Sequence, residues 1–542
     1  MLINAELLLQ HQKCKRRSFL NVRGDKTQQD APSDLLLKLY QDKYAHQKEV
    51  LEKLSYQRPK FPREEPKTGE AATLELMQQG VECIYKGVLT TSYSDDHTLL
   101  IRPDLLIKQK GNSRLGDWMY VPARVELGKR PKQEYQVIAA FYAFVLAQVQ
   151  LPQFAEAWLM LRGKETRYNV DLVKWIPRMQ EILDECILSL QSPTSPEVFI
   201  SRQKCSLCNW YTNCHQTASR QQHLSLVPGI TPNRYEHLKT LNITTLESLV
   251  QTNPSILENL PGFDRQVATQ LILQGKSLLE NRPLFLPAAL VDQSIIEELP
   301  SYYQDPPSSS ELLTLPKPND KAILEVPWAM VPNSPSIQYP TTVEIDPVVY
   351  ETITYSAPIE LYFDIEAQPD LNLNYLLGVL VVDRENETEQ FYSFIAEKPD
   401  EEKLIWQQFL ELVWQYPDAP IYHFCVYEFD TVQRLAKLYR TPSKKVLPVL
   451  DRFVDIYEQL TATVVLPLES YALKAIARWL GFEWRDPEAS GAKCIYWYDR
   501  WLKTGDRALL EIIKRYNEDD CRATHSVKDW LVNFFESQYE IE

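Results

Sequence analysis

The sequence predicts a multidomain α/β protein, and three observations carry that reading. The chain has 542 residues, more than one ordinary hydrophobic core accommodates. A stretch from about 286 to 358 holds 12 of its 36 prolines and reads as an extended linker with short edge strands near AILEVPWAMV. Beyond it, strand-like segments and amphipathic helices follow one another in a mixed order. The expected divisions are 1–218, a helical region 219–285, the linker 286–358, and a last domain 359–542.

Composition narrows the class. With 44% hydrophobic and 24% charged residues, the chain reads as globular. Its longest apolar run, around Ile138 to Val149, is far short of a membrane span. MLINAELLLQ lacks the basic region and cleavage site of a secretory signal, so a cytoplasmic location is expected. In that compartment the nine cysteines point to a metal or cluster rather than to disulfides. The net charge of −15 is uneven: residues 1–230 carry 31 Lys and Arg against 25 Asp and Glu, whereas 361–542 carry 20 against 32. A mildly basic front is compatible with phosphate contacts, and an acidic rear with a carboxylate metal site.

The last domain holds the clearest chemistry. ELYFDIEAQ (360–368) reads as a buried strand, and its period of two puts Asp364 and Glu366 on one face. Two adjacent acids in an apolar strand are costly unless a cation holds them. NYLLGVLVVD and EQFYSFIAE read as a hairpin across RENET. KLIWQQFLELVWQY reads as a helix with Ile405, Phe409, Leu412 and Tyr416 on one stripe. PIYHFCV is a further strand, YEFDTVQRLAKLY a helix, and ALLEIIKRYNEDDCRATHSVKDWLVNFF a long final helix. On that helix Tyr516 and Asp520, four apart, share a face. The order is that of an RNase H-like fold with a mixed sheet.

FDIE followed about 150 residues later by YNEDDCRAT resembles the DEDD exonucleases of the subclass with a tyrosine four residues before the last aspartate. The resemblance implies a two-metal phosphodiesterase using Mg²⁺ or Mn²⁺. Asp364, Glu366 and Asp520 would hold the ions, and Tyr516 would orient the attacking water. The family also has an acid after the fourth strand. HFCVYEFD offers Glu428, at the usual spacing but longer than the usual aspartate, or Asp430. Asp455, in RFVDIYEQL, matches a recurrent position as a secondary site or structural acid.

CSLCNWYTNC supplies Cys205, Cys208 and Cys214, and Cys14 lies near the other end of the front domain. One early and three late cysteines resemble the iron–sulfur RecB-like nucleases, which implies a [4Fe–4S] cluster stapling the domain ends. Zn²⁺ is the alternative, with His215 adjacent.

That family is expected to carry a PD-(D/E)xK (restriction-endonuclease-like) core between those cysteines. His46 fits its helical histidine, Asp104 in IRPDLLI its hairpin aspartate, and EYQVIAAFYAFVLAQ the helix after the last motif strand. On that strand, YVPARVELG, Arg124 stands where the acid is expected and Glu126 where the lysine is expected. Two readings follow. In one, Glu126 joins Asp104 and His46 on a metal, with Lys129 or Lys132 as a migrated lysine. In the other, an Arg124–Glu126 ion pair plugs the former site, since arginine cannot be tuned towards neutrality.

Between the domains, LSLVPGITPNRYEHLKTLNITTLESL and LENLPGFDRQVATQLI resemble helix-hairpin-helix modules, whose turn amides touch phosphates, or form a helical spacer. The whole resembles RecB-like nucleases with an appended RNase H-like DEDD domain. It implies a metal-dependent nuclease acting on nucleic acid, DNA rather than RNA, by 3′–5′ exonuclease chemistry. The alternative is a non-catalytic nucleic-acid-binding or scaffold protein with both nuclease sites vestigial.

Overall fold

The computed structural model describes residues 1–62, 65–150, 156–164, 167–287 and 347–539. Most of the proline-rich stretch, including the strands expected near AILEVPWAMV, lies outside the described residues. The chain forms two compact units, Met1–Gln221 and Gln222–Glu542.

The first unit is built on a five-stranded sheet. Its strands run in the order Cys83–Tyr85, Leu105–Ser113, Gly116–Glu126, Trp158–Leu161 and Tyr168–Asn169. Only the pair Gly116–Glu126 and Trp158–Leu161 is parallel. Such a pair needs a crossover, and the helix Gln133–Gln150 supplies it. That helix is apolar nearly all round and buries residues from Gln136 to Gln150 between its neighbours, the helices Ala5–Lys13 and Leu172–Gln191 among them. A second sheet orders Leu2–Asn4, His97–Ile101 and Leu89–Ser94. Asp104 stands just before the strand Leu105–Ser113, not at the end of a strand as expected. Pro103, which has no N–H for a ladder bond, separates it from the strand His97–Ile101.

The second unit joins the helical region to the last domain. Two short helices, Pro232–Thr240 and Leu246–Val250, are followed by Pro254–Leu257 and Arg265–Glu280. The turns Gly229 and Gly262 have left-handed φ values of 89° and 81°, which favour glycine. Arg234 clamps both, its Nη1 donating to the Gly229 carbonyl and its Nε to that of Gly262, each at 2.8 Å. The helix Arg265–Glu280 docks on the last domain: Gln274 Nε2 donates to the Leu466 carbonyl at 2.6 Å, and Tyr471 OH donates to Gln274 Oε1 at 2.7 Å. Leu284–Phe285 then pairs with Val464–Val465, and Phe285 stacks on Phe534 at 4.7 Å.

The last domain is a five-stranded sheet ordered Thr388–Ile395, Leu373–Asp383, Ile359–Gln368, Ile421–His423 and Phe453–Asp455. The first three strands are antiparallel neighbours and the last two parallel additions. The hairpin at RENET is present. The helix Glu402–Val413 buries Ile405, Phe409 and Leu412 in the core, with Tyr416 packed at its margin. The strand Phe453–Asp455 escaped the sequence because three residues carry too little alternation to register. Within the stretch read as linker, Pro347–Thr354 is a helix that buries Val349 and Ile353 against the core. Its proline stands at the first helical position, where no N–H is needed. The final helix spans Arg507–Tyr539. No helix among the described residues is long and apolar enough to cross a membrane.

Candidate functional site

Asp364 and Glu366 sit on the central strand of the last domain, and the final helix brings Asp520 to them. One carboxylate oxygen from each lies within 4.8 Å of the others. Among the described residues, this is the group of metal-ligating side chains that comes so close. The helix is seated by a close approach at Gly378, the register partner of Asp364. A Cβ at Gly378 would stand 1.7 Å from Asn517 Oδ1. Asn517 Nδ2 donates to Asp364 Oδ2 at 2.6 Å. Trp484 Nε1 donates to Asp520 Oδ1 at 2.8 Å. The neighbouring Asp519 is held by Arg485 Nε at 2.8 Å, so the two aspartates of the helix divide their tasks.

Glu428 opens the helix Tyr427–Leu438 and is buried, with Oε2 lacking any hydrogen-bond partner. Asp430, the alternative read from sequence, is exposed. Asp455 caps the helix Ile456–Thr463, and its Oδ1 also accepts from Cys425 N at 2.9 Å. It thereby fixes the loop that leads into Glu428, where Cys425 has a φ of 76°. Tyr516 is buried, and burial followed by the Asp520 charge raises its hydroxyl well above the usual range.

The acids of this site oppose one another's ionisation. Burial pushes Asp364 up to about 7. Burial and then the mutual repulsion of the acids hold Glu366, Glu428 and Asp520 well above the carboxylate range. Like charges so placed cannot all ionise unless a cation joins them. Hard oxygen donors, one of them with an orphaned oxygen, fit Mg²⁺ or Mn²⁺. Lys474 is a nearby cation, its Nζ 5.2 Å from the Trp484 ring and 5.6 Å from that of Tyr516. Burial lowers its ammonium, and Asp520 opposes that shift. Asn517, Trp484 and Lys474 were not singled out from sequence. Only Asn517, inside YNEDD, lay within a recognisable motif.

In the first unit, Asp104 and Glu126 are both buried, and every carboxylate oxygen is occupied. Asp104 Oδ1 accepts from Gln47 Nε2 at 3.0 Å and from Lys86 Nζ, and Oδ2 from Val125 N at 2.8 Å. Glu126 Oε1 accepts from Arg124 Nε, and Oε2 from Lys43 Nζ at 3.4 Å. Burial alone would raise Asp104, but Lys86 and Arg124 outweigh it and hold the carboxyl below its ordinary range. Of the two sequence readings, the Arg124–Glu126 ion pair is present, and protein cations occupy the lone pairs of both acids. His46 is buried with neither ring nitrogen hydrogen-bonded. Lys129 and Lys132 are exposed, with no contact to either acid. The lysine that reaches Asp104 is Lys86, in a left-handed turn with φ 55°.

Cys14, between the helices Ala5–Lys13 and Lys15–Arg23, lines one pocket with Cys205, Cys208 and Cys214. Arg16 and Arg17 line it too. Burial raises the thiols of Cys205, Cys208 and Cys214, the last to about 11, and these arginines oppose the shift. No three of the sulfurs lie within 4.8 Å of one another.

No curated protein matches the chain significantly. A solved structure described as "Crystal structure of SSO0001" aligns over 39% of this chain and 84% of its own, at 10% identity and a TM-score of 0.20, a likeness that carries no argument. The family profile of the RNase_H superfamily (RNase_H_2) matches residues 361–532, the span that holds the acidic cluster, and the C-terminal domain is RNase H-like.

Proposed function

We propose that the chain is a divalent-metal-dependent nuclease working through Asp364, Glu366, Glu428 and Asp520, with Tyr516 beside them. The observation that carries the proposal is the convergence of three carboxylates, Glu366 buried and Asp364 and Asp520 partly so, on an RNase H-like domain. Asp364, Glu366 and Asp520 would hold Mg²⁺ or Mn²⁺, which would stabilise charge on the attacking and leaving oxygens of a phosphodiester. The protein's share is positional. Asn517 and Trp484 fix the outer faces of Asp364 and Asp520. The Tyr516 hydroxyl, kept protonated by its surroundings, orients the attacking water. Lys474 offers its ammonium to a substrate phosphate. DNA and 3′–5′ exonuclease action are the substrate and mode the motif order supports.

The front unit binds substrate rather than cutting it, because its acids are ion-paired. Its four cysteines are proposed to hold a [4Fe–4S] cluster. Zn²⁺ held by the same thiolates is the alternative. The turns at Gly229 and Gly262 are proposed backbone contacts for the same substrate.

The test is cleavage of end-labelled single- and double-stranded DNA and RNA with Mg²⁺ or Mn²⁺, comparing wild type with Asp364→Ala and Glu126→Ala. Metal-dependent cleavage that Asp364→Ala abolishes and Glu126→Ala preserves supports the proposal. Salt-dependent binding with no cleavage under either metal supports the second reading, a non-catalytic nucleic-acid binder. The ion-paired front site favours that reading for its own unit.

A further inference from the structure

The front unit's carboxylates are furnished with protein cations where a metal ion would sit. We propose that this site is a metal-independent binding site for single-stranded nucleic acid, in which Lys43 and Lys86 take one backbone phosphate and Tyr40 and Tyr44 take its bases. The proposal rests on the reading of nucleic acid as the chain's partner, and names the residues that recognise it in this unit.

Charge comes first. Lys43 and Arg124 pair with Glu126, Lys86 pairs with Asp104, and the charges of all three cations act on Asp104. Three cations against two carboxylates leave one positive charge, the complement of a single phosphodiester. A divalent ion would add to that excess and would have to displace a lysine or the arginine from its acid.

Access separates the three cations. The Arg124 side chain is 8% exposed and is spent inside the unit, on Glu126 and on Tyr142 OH at 3.2 Å. The Lys43 and Lys86 side chains are 33% and 32% exposed. An ammonium has three donors. Lys86 gives one to Asp104, and Lys43 makes only the long 3.4 Å contact to Glu126, so both have N–H groups left for an anion.

The neighbouring surface favours a strand over free phosphate. Tyr40 and Tyr44 are four apart on the helix that carries Lys43, and are 58% and 69% exposed. Exposed rings one helical turn apart, flanking a lysine, form a stacking platform. Such stacking changes affinity by about tenfold or more per base. Gln47 and His46 lie on the buried side of this helix, Gln47 bonded to Asp104 and His46 with neither ring nitrogen hydrogen-bonded.

The test uses the full chain carrying Asp364→Ala, so that the C-terminal centre leaves the probe intact. A fluorescent single-stranded oligonucleotide is titrated by anisotropy in EDTA and in Mg²⁺, across a salt series. Binding should persist in EDTA. Lys43→Gln and Lys86→Gln should each weaken it about threefold to tenfold and reduce the log–log salt slope by about 0.7. Tyr44→Ala should weaken it about tenfold without changing the slope. Lys86→Arg should retain binding, and a melting curve checks each variant. If Lys86→Gln does not fold, the half-exposed Lys43→Gln carries the test. An unchanged affinity and slope in folded Lys43→Gln would overturn the proposal. So would Mn²⁺ bound to this background by electron paramagnetic resonance and lost on Asp104→Ala. Cleavage by the chain without Asp364→Ala is read separately, so failure of the nuclease reading is not confused with failure of this one.

Discussion

Asn517 lies against Gly378 so closely that a Cβ on the glycine would meet Asn517 Oδ1 at 1.7 Å, while the same amide donates to Asp364 at 2.6 Å. The missing side chain at one position of the second strand thus sets the height of the final helix over the first. It also sets the place at which Asp520 meets Asp364 and Glu366.

Gly378→Ala is therefore expected to act on metal binding before it acts on folding. The methyl displaces Asn517 and releases Asp364 from its donor. We expect Mn²⁺ affinity, measured by calorimetry, to fall about 10–100-fold, the usual cost of losing a partner behind a metal ligand. Asn517→Ala should fall in the same range. Unchanged affinity in both would mean that Asp364 needs no orientation from the helix.

Trp484 makes a parallel case on the other side of the site. Its indole N–H is a donor to Asp520, and the ring is buried. Trp484→Phe keeps most of the ring and removes the donor. The expected result is a fall in Mn²⁺ affinity of about 10–100-fold with a melting temperature lowered by only a few degrees. A large loss of stability with normal metal affinity would assign the residue to packing alone.

The cysteine pocket gives a prediction that colour decides. Anaerobically purified protein is expected to be brown, with visible absorption that disappears in Cys14→Ser and in Cys208→Ser. Both variants should melt earlier, because a bound cluster contributes to folding directly. Colourless protein containing one zinc per chain would replace the cluster by the alternative ion.

A buried charge network predicts acid lability. Glu360 accepts from Lys528 at 2.8 Å and from Arg384 Nε at 2.7 Å, and Arg384 also pairs with Asp529. Burial works to raise Glu360 and Asp529, but these cations and His525 hold both below their ordinary values. Depressed carboxyl values stabilise the fold above the unfolded range near pH 4, and the contribution is lost as pH falls from there through the lower folded values. Melting temperature should drop as pH falls below about 4, less steeply in Asp529→Asn. At pH 7 that half-exposed substitution should cost no more than about 1 kcal/mol. Equal slopes for the two proteins would remove the network from the account.

What could be read in the sequence was what local spacing encodes. Two acids two apart on a strand and a tyrosine four before an aspartate on a helix share faces by geometry alone, and the structure brings Asp364, Glu366 and Asp520 together. Trp484 and Lys86 reach Asp520 and Asp104 through folding of distant segments, which no local pattern announces. Lys129 looked closer to Glu126 in sequence, yet its turn leaves it in solvent. The left-handed turn at Lys86 carries a residue 18 positions before Asp104 onto its carboxylate. Pro347 misled in the other direction, since a proline that suggests a linker also opens a helix.

On the proposed function, the C-terminal carboxylates perform metal-dependent phosphodiester cleavage. The most direct measurement is single-turnover cleavage of an end-labelled DNA strand by metal-stripped protein reloaded with Mn²⁺, comparing wild type with Asp364→Asn, which keeps the side-chain shape and removes the charge. Cleavage by wild type is expected to require the metal and to fall by more than about 100-fold in the variant. Equal rates for the two proteins, or no cleavage by the Mn²⁺-loaded wild type, would contradict it.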